Sequence, residues 1–226
     1  MFEIEFSDEI KAAAPGLRVI AIEARVANGP TSDTLWEAVE SEAMNIQGST
    51  PIEAVNKRGS IAATRAAYKA LGKDPNRYRP SAEALCRRAV NGKGLYRLTM
   101  LVDFINLLSM RTGHSIGGFD ADKIKGNSLV LGRGRAGECF NAIGRGQLNI
   151  DGLPVYRDAV GGIGTPTSDE ERTKLTPPTQ RLLMLINVYD EGEDIEALKE
   201  LAVALLNRYC APESVKYSFF SVKQPI

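Results

Sequence analysis

The hydrophobic period of this chain changes at Gly113, and that change limits the possible folds more than any other feature of the sequence. The segment before it, LTMLVDFINLLSMR at 98–111, has apolar residues at helical spacing and predicts the longest apolar helix of the chain. The later segments NSLVLGRG, PVYRDAVGG and RLLMLINVY predict strands separated by glycine turns. This order favours the α+β class, a mixed β-sheet with flanking helices, over a doubly wound parallel sheet.

Local signals predict further elements before that helix. FEIEFS alternates as a strand does, Ser7 is the expected N-cap of a short helix, and residues 17–26 predict a buried strand. SDTLWEAVESEAMNI has a helical pattern. The capping box of Thr50, Pro51 and Glu53 predicts that the next helix begins there.

Three more elements complete the predicted order. Ser81 is the expected N-cap of a helix that ends at Gly92, with Glu83 in its first turn and Arg87 and Arg88 near its end, as the helix dipole favours. DIEALKELAVALLNRY predicts an amphipathic helix, and SVKYSFFSV predicts a closing strand.

The composition is that of an ordinary globular protein. With 226 residues, 43% of them hydrophobic, the chain can bury a sizeable core, and we expect one domain spanning 1–226. Lysine plus arginine and aspartate plus glutamate number 28 each, so no global field attracts DNA or an anionic membrane, and an RNA-binding surface has to be a local patch. The start does not have the pattern of a signal peptide, and no apolar run is long enough to span a bilayer. We therefore expect a cytoplasmic protein.

No metal site and no cofactor is expected. Cys86, Cys139 and Cys210 lie far apart and form no CxxC pair, which argues against a disulfide framework and against a zinc site. Cys86 and Cys210 are expected to be buried thiols. No GxGxxG opens a helix after the first strand, and the P-loop pattern does not occur, so neither device supports nucleotide binding.

A narrow polar stripe interrupts the apolar helix at 98–111. Thr99, Asp103 and Asn106 stand at i, i+4 and i+7 among apolar neighbours. A carboxylate and an amide in such surroundings need partners, since burying an unpaired charge is costly or shifts its pKa. Asp103 and Asn106 therefore either bond to a neighbouring loop, the interpretation we favour, or line a pocket.

Basic residues cluster between 77 and 97, with Tyr78 and Tyr96 among them. They are Arg77, Arg79, Arg87, Arg88, Lys93 and Arg97. Guanidinium groups beside aromatic rings suit phosphate contact and base stacking, although a solvated surface is the simpler interpretation of the same pattern.

Two glycine-rich segments are candidates for a site. Residues 161–176, GGIGTPTSDEERTKLT, are long for a tight turn and form either one wall of a pocket or a mobile surface loop. GHSIGGFD at 113–120 contains His114, the only histidine in the chain. Because no orienting partner for this histidine is evident in the sequence, we expect His114 to be a loop residue near a pocket rim rather than a general base.

An ordered series of motifs resembles a known family. RYRPS, VDFIN, GFDADKI, GRAGE and RTKLT follow one another as in the B3/B4 domain of the bacterial phenylalanyl-tRNA synthetase beta subunit, and the resemblance is strongest to stand-alone proteins made of that domain. For the synthetase domain it covers about residues 80–190. It implies a mixed α/β fold with a pocket between the VDFIN helix and the glycine-rich loop. In the synthetase this domain hydrolyses tyrosine wrongly attached to phenylalanine tRNA.

Two positions depart from the family pattern. Where the synthetase has an editing-site histidine, this chain has Gly117, so a side chain is absent and space is expected in its place. The synthetase's glutamate follows a glycine pair directly, whereas the first acids here come later, and Glu171 is the suggested equivalent.

The leading hypothesis is a stand-alone editing-like domain that binds the aminoacyl end of tRNA and, if active, hydrolyses mischarged aminoacyl-tRNA in trans without being a complete tRNA ligase. The alternative is a catalytically inactive module that binds a free amino acid or RNA. Editing of this kind needs groups that orient a water and an ester rather than a protein nucleophile. The catalytic candidates are Glu171 and Asn106. The expected pocket residues are Asp103, Asn106, Gly117, Gly118, Phe119, Gly161, Gly162 and Thr173, and the expected RNA-binding residues are Arg77, Arg79, Arg87, Arg88 and Lys93.

Overall fold

Residues 1–223 are described in a computed structural model of the chain, and within them lie six α-helices and ten strands. The helices are α1 (Asp8–Ala13), α2 (Asp33–Ser49), α3 (Gly59–Ala70), α4 (Ser81–Val90), α5 (Met100–Thr112) and α6 (Ile195–Cys210). The strands are β1 (Glu3–Phe6), β2 (Arg18–Arg25), β3 (Ile116–Asp120), β4 (Ser128–Arg133), β5 (Asn141–Ala142), β6 (Gly146–Gln147), β7 (Pro154–Arg157), β8 (Gly162–Gly164), β9 (Arg181–Val188) and β10 (Ser214–Ser221).

The strands form two four-stranded sheets and one short hairpin. The antiparallel sheet has the order β10-β2-β9-β3. The mixed sheet has the order β1-β4-β7-β8, in which β1 runs parallel to β4 and the other pairs are antiparallel. The strands β5 and β6 pair with each other as a short antiparallel hairpin. The predicted α+β class with a mixed sheet is confirmed.

The antiparallel sheet is covered on both faces, which makes three layers. Ile20 and Ile22 of β2 pack in one core with the apolar sides of α2, α4, α5 and α6. Val19 and Ala21, which point to the opposite face, pack in a second core with residues of the mixed sheet. The double burial explains why residues 17–26 read as a nearly continuous apolar run although the strand is antiparallel.

Ser7 is confirmed as the N-cap of α1, where its hydroxyl accepts the amide hydrogen of Ile10 at 3.5 Å. The predicted helix start at Thr50 is wrong. Helix α2 continues to Ser49, and Thr50 closes it by donating its backbone N–H to the carbonyl of Ile46 at 3.0 Å. The next helix, α3, begins only at Gly59.

Arg58 explains the delayed start of α3. Its guanidinium donates to the carbonyls of Met110 at 2.8 Å and Arg111 at 3.0 Å, which are two of the orphan acceptors at the end of α5. The tertiary contact therefore decides the backbone path between α2 and α3, where a local capping pattern had predicted otherwise.

Ser81 is the first residue of α4 but makes no capping bond with its side chain, and Pro80 occupies the N-cap position, so the predicted cap is wrong by one residue. Cys86 and Cys210 are buried and free, as expected. Within residues 1–223, no helix is long and apolar enough to cross a membrane.

Candidate functional site

A cavity of about 530 Å3 lies between α4, α5, β3 and the segment that follows β8. This volume lies within the range of about 300–1,000 Å3 that is usual for small-molecule sites. Its apolar lining consists of Leu85, Leu98, Val102, Ile105, Ile116, Ile143, Leu175 and Pro177. Its polar lining consists of Ser81, Thr99, Asn106, Ser109, Thr165, Ser168, Asp169, Lys174 and Thr176.

The loop after β2 holds two walls of this cavity together. Asn28 accepts the amide hydrogen of Leu101, in the first turn of α5, at 3.1 Å, and it donates from its side chain to the carbonyl of Thr176 at 2.9 Å. The carbonyl of Gly29 accepts the amide hydrogen of Met100 at 2.9 Å. Orphan N–H groups at the start of α5 are thereby satisfied, and the opposite wall is tied to the same loop.

Of the two acidic and amide residues in the polar stripe of α5, one bonds to neighbouring backbone and side-chain groups and the other lines the cavity. Asp103 is 1% exposed and accepts hydrogen bonds from the Thr31 hydroxyl and, at 2.9 Å, from the backbone N–H of Leu98. Burial raises the pKa of Asp103, and the hydrogen bond from Thr31 opposes that rise. Asp103 does not line the cavity, whereas Asn106, three residues later, does. Asp103 is thus a structural group, and Asn106 faces the site.

The glycine-rich strand β3 presents its two glycines to opposite sides. Gly118 lines the cavity, and a methyl group there would meet the tip of the Ile105 side chain, so glycine lets Ile105 of α5 pack closely on β3. A methyl group at Gly117 would lie 2.7 Å from the ring of Phe119. The expected free space beside Gly117 is therefore absent, because the buried ring of Phe119 fills it.

The segment at 161–176 supplies one wall of the cavity, but not through the residues selected from the sequence. Gly161, Gly162 and Thr173 lie outside the cavity lining, and Thr173 is fully buried. Glu171 also lies outside it. It pairs with Lys174 and accepts the amide hydrogen of Gly144 at 3.3 Å, and the hydrogen bond from Lys174 lowers its pKa.

Asp169 is the carboxylate that lines the cavity. Its Oδ2 accepts the backbone N–H of Gly118 at 3.2 Å. The residue keeps some exposure towards the cavity, but protein atoms surround its carboxyl group so closely that burial raises its pKa from 3.8 to about 7. No local pattern singles out Asp169. The chain brings it back against Gly164 through an isolated β-bridge, a pairing that only the folded structure reveals.

His114 does not lie at the cavity rim, so that expectation is wrong. The residue is fully buried between α5 and β3, and its Nε2 lies 3.3 Å from a carboxylate oxygen of Glu193. Burial lowers the pKa of His114, and the charge of Glu193 opposes that shift. The histidine is thus a core residue near the start of α6.

A second depression of about 470 Å3, which we call the basic groove, adjoins the cavity. Its basic residues are Arg79, Arg87, Arg88, Lys93 and Arg145. Four of the five residues predicted to bind RNA are therefore brought together, and Arg145, distant in sequence, joins them. Arg77 lies outside this lining, near the ring of Tyr78. Ser81, Leu85 and Asn106 line both the groove and the cavity, so the two are continuous.

The cations of the basic groove differ in how far they are neutralised. Arg87 pairs with the buried Glu83 at 2.8 Å, and the Arg88 guanidinium donates to backbone carbonyls and stands 4.3 Å above the ring of Tyr96. Across residues 1–223, by contrast, no carboxylate pairs with Arg79, Lys93 or Arg145. These three charges are available to an anionic ligand.

Comparisons with known proteins identify the fold and the family of the chain. The fold is similar to that of an N-terminal fragment of the phenylalanyl-tRNA synthetase beta subunit from Pyrococcus horikoshii, with a TM-score of 0.50 and 14% identity, over 94% of this chain and 50% of the other. The family model described as the B3/4 domain matches residues 63–216, so the chain belongs to the B3/4 domain family.

A curated relative indicates the same kinship. The chain is 28% identical over 166 residues to the phenylalanine–tRNA ligase beta subunit of Bartonella henselae. The alignment covers 62% of this chain and 20% of the relative, so the chain spans about a fifth of that subunit's length. This B3/4 domain is thus related to a tRNA synthetase subunit.

Proposed function

We propose that this B3/4 domain binds the aminoacyl end of tRNA and hydrolyses mischarged aminoacyl-tRNA in trans. The observation that carries the proposal is the continuity of the cavity, lined in part by apolar side chains, with a groove in which Arg79, Lys93 and Arg145 have no carboxylate partner within the described part of the chain. An aminoacyl side chain suits the cavity, and the phosphates of a tRNA end suit the groove. The kinship with phenylalanyl-tRNA synthetase beta subunits supports tRNA as the nucleic acid.

The boundary between cavity and groove supplies polar groups for the ester. Asn106 and Ser81 both lie there, and within the described residues their side chains make no hydrogen bond to the protein. In the proposed reaction a water attacks the ester carbonyl carbon and the bond from that carbon to the ribose oxygen breaks. The departing ribose oxygen takes up a proton from the water and becomes a hydroxyl, and the amino acid leaves as the free carboxylic acid. Free amide and hydroxyl groups at this point can orient the water and the ester. Asn106 therefore remains our catalytic candidate, and Glu171 does not.

The proposal also covers the extent of the domain, its location in the cell, its partner and its cofactors. We propose one working unit over residues 1–226, located in the cytoplasm, with tRNA as its partner and with no metal or cofactor. The proposed activity is that of a deacylase and not of a complete tRNA ligase, and it requires no cofactor because ester hydrolysis consumes only water and the bound ester.

A deacylation assay against a panel of mischarged tRNAs tests the proposal. We expect turnover of at least one aminoacyl-tRNA and loss of that turnover in Asn106→Ala. Gln147→Ala, an exposed amide in β6 that lines neither the cavity nor the groove, is the matched control and should leave the rate unchanged. Absence of turnover with every tRNA in the panel contradicts the hydrolase function.

The geometry beside Gly117 favours a second candidate function, binding without hydrolysis. By the family resemblance, Gly117 stands where the synthetase has its editing-site histidine. The ring of Phe119 fills the space beside Gly117, and Glu171 lies outside the cavity. A module of this kind would hold a free amino acid in the cavity. Thermal denaturation with each of the twenty amino acids is the test. A midpoint raised by an amino acid in a protein that deacylates no tRNA supports this function, and a midpoint raised by tRNA alone contradicts it.

A further inference from the structure

We infer that the Asp169 carboxylate receives the ammonium group of the bound aminoacyl moiety, so that the cavity selects substrates with a free α-amino group and rejects N-acylated ones. The inference rests on the proposed use of the cavity as the aminoacyl site. It adds a specificity-determining residue and a substrate class to that function.

The geometry around Asp169 is that of a half-completed ion site. The carboxylate lines the cavity and receives the N–H of Gly118 at 3.2 Å. The absence of side chains at Gly117 and Gly164 leaves room for it, since a methyl group at Gly164 would lie 2.7 Å from Asp169 Oδ1. The buried ring of Phe119 lies on the same side of the carboxylate. The open side of the carboxylate therefore faces the cavity.

The charged groups around Asp169 do not complete that site. Lys174 lines the same cavity, but its ammonium group is paired with Glu171. The neighbouring Glu170 accepts the amide hydrogen of Arg172, whose guanidinium pairs with Asp158 at 2.8 Å. Along residues 1–223, no lysine or arginine forms an ion pair with Asp169. A carboxylate held away from water without a cation is stabilised when a ligand supplies one.

The remainder of the cavity agrees with an α-amino acid group as that ligand. Apolar side chains of α5 and β3, such as Val102, Ile105 and Ile116, line the cavity and suit an apolar substrate side chain. The free polar groups of Asn106 and Ser81 lie towards the basic groove and suit the ester. An aminoacyl ester carries these three groups, an ammonium, an apolar side chain and an ester, on one α-carbon.

Binding at Asp169 is coupled to a proton. The ligand ammonium favours the ionised carboxylate, whose pKa in the free protein is about 7. Below pH 7 the ligand therefore has to displace a proton, and affinity falls by up to about tenfold for each pH unit. The α-amino group, whose ordinary pKa is about 7.7–8.0, remains charged over the same interval. Loss of affinity between pH 7 and pH 5 is thus assigned to Asp169.

Calorimetric titration with amino-acid amides tests the inference, because amides resemble the ester and carry no carboxylate. The probes are L-leucinamide, L-methioninamide and L-phenylalaninamide, each beside its N-acetyl counterpart, at pH 7 and pH 5.5. We expect at least one amide to bind, its N-acetyl form to bind at least about tenfold more weakly, and binding to weaken at pH 5.5. Asp169→Asn should abolish the preference for the free amine, and Glu3→Gln, an exposed acid in β1 outside the cavity, should retain it.

Three results overturn the inference. They are binding of none of the amides, equal binding of the free and N-acetyl forms, and retention of the preference in Asp169→Asn. Steady-state deacylation separates an anchor from a general base. An anchor raises KM in Asp169→Asn, whereas a fall in kcat at unchanged KM would assign proton transfer to Asp169 and would also overturn the inference. The proposed function is judged separately, since a wild-type protein that deacylates N-acetylated and free aminoacyl-tRNA equally well refutes only the ammonium anchor.

Discussion

Glu83 and Asp169 are two carboxylates held within the protein, and their surroundings differ completely. Both oxygens of Glu83 are paired, one with Arg65 at 2.7 Å and the other with Arg87 at 2.8 Å, and its side chain is 1% exposed. Asp169 receives a single backbone N–H and borders a cavity. Complete pairing makes Glu83 part of the framework that joins α3 to α4. Because its pairing is incomplete, Asp169 can bind a positively charged group of a ligand, which we propose is the ammonium group of the aminoacyl moiety.

Replacement of Glu83 by Ala should have the largest effect, because it removes a completed pair. It leaves Arg65 and Arg87 without their partner, and we expect the free energy of unfolding to fall by about 3–5 kcal/mol. Urea denaturation at pH 7 measures the change. Asp8→Ala breaks the exposed pair with Lys11 and should match the wild type within error. Equal stability of both variants would remove the framework role of Glu83.

Asp103 lies between the two cases, since it is buried and accepts hydrogen bonds but forms no ion pair within residues 1–223. Asp103→Ala leaves the Thr31 hydroxyl and the Leu98 N–H unpaired, and it should lower the free energy of unfolding by about 1–3 kcal/mol. Asn106→Ala should have nearly the free energy of unfolding of the wild type but should lose deacylation of aminoacyl-tRNA. Urea denaturation of the two variants side by side distinguishes them. A larger loss of unfolding free energy in Asn106→Ala than in Asp103→Ala would show that Asn106, and not Asp103, is the structural residue of the polar stripe.

Asp169→Asn should change stability in the opposite direction. The folded-state pKa of Asp169 is raised from 3.8 to about 7, so between these values the folded protein holds a proton that the unfolded chain has lost. The stability contributed by this group is therefore lost as pH rises through that interval. Asparagine does not titrate, so the variant should be more stable than the wild type by about 1–2 kcal/mol at pH 8 and by little at pH 4.

Denaturation of the wild type and Asp169→Asn in urea at pH 4, 6 and 8 checks the direction. If Asp169→Asn is no more stable than the wild type at pH 8, the ionised Asp169 carboxylate is already stabilised by the protein without a ligand. The contrast with Glu83 would then be lost.

The same comparison extends to cations and predicts the smallest effect. Arg65 is neutralised by Glu83, whereas Arg79 and Arg145 stand unpaired in the basic groove. The Arg79→Ala, Arg145→Ala double variant should weaken tRNA binding and reduce the slope of log affinity against log salt by about 1.4, the value for two single-strand phosphate contacts. Fluorescence anisotropy with labelled tRNA over a series of salt concentrations measures the slope. Arg77→Ala, which lies outside the groove, is the control and should keep the wild-type slope. An unchanged slope in the double variant would show that the basic groove does not contact the phosphates of tRNA.

The parts of the fold that could be predicted are those with strong local signals. The hydrophobic period of residues 98–111 defines α5, Ser7 caps α1, and the apolar run at 17–26 becomes β2. In each of these the side chains that make the pattern also make the contacts. The prediction of a pocket between the VDFIN helix and the glycine-rich loop came from the family resemblance, whereas the polar stripe of the helix left a pocket only as the less favoured alternative.

The remaining features depend on contacts between distant segments. The capping pattern at Thr50 does not start a helix, and Arg58, just before α3, instead donates hydrogen bonds to carbonyls at the end of α5. The strand β3 was not predicted, because glycine weakens a strand and the pairing with β9 is what selects it. Asp169 resembles its acidic neighbours in sequence and differs from Glu171 only in the direction that the fold gives it.

The position of β2 has a consequence for anyone who transplants this domain into another protein. The family match begins at residue 63, yet β2, at Arg18–Arg25, pairs with β10 on one side and β9 on the other. A graft cut at the matched boundary would carry a sheet split down its middle, with two rows of backbone donors and acceptors exposed. The smallest portable piece therefore begins ahead of Arg18, well outside the stretch by which the domain is recognised.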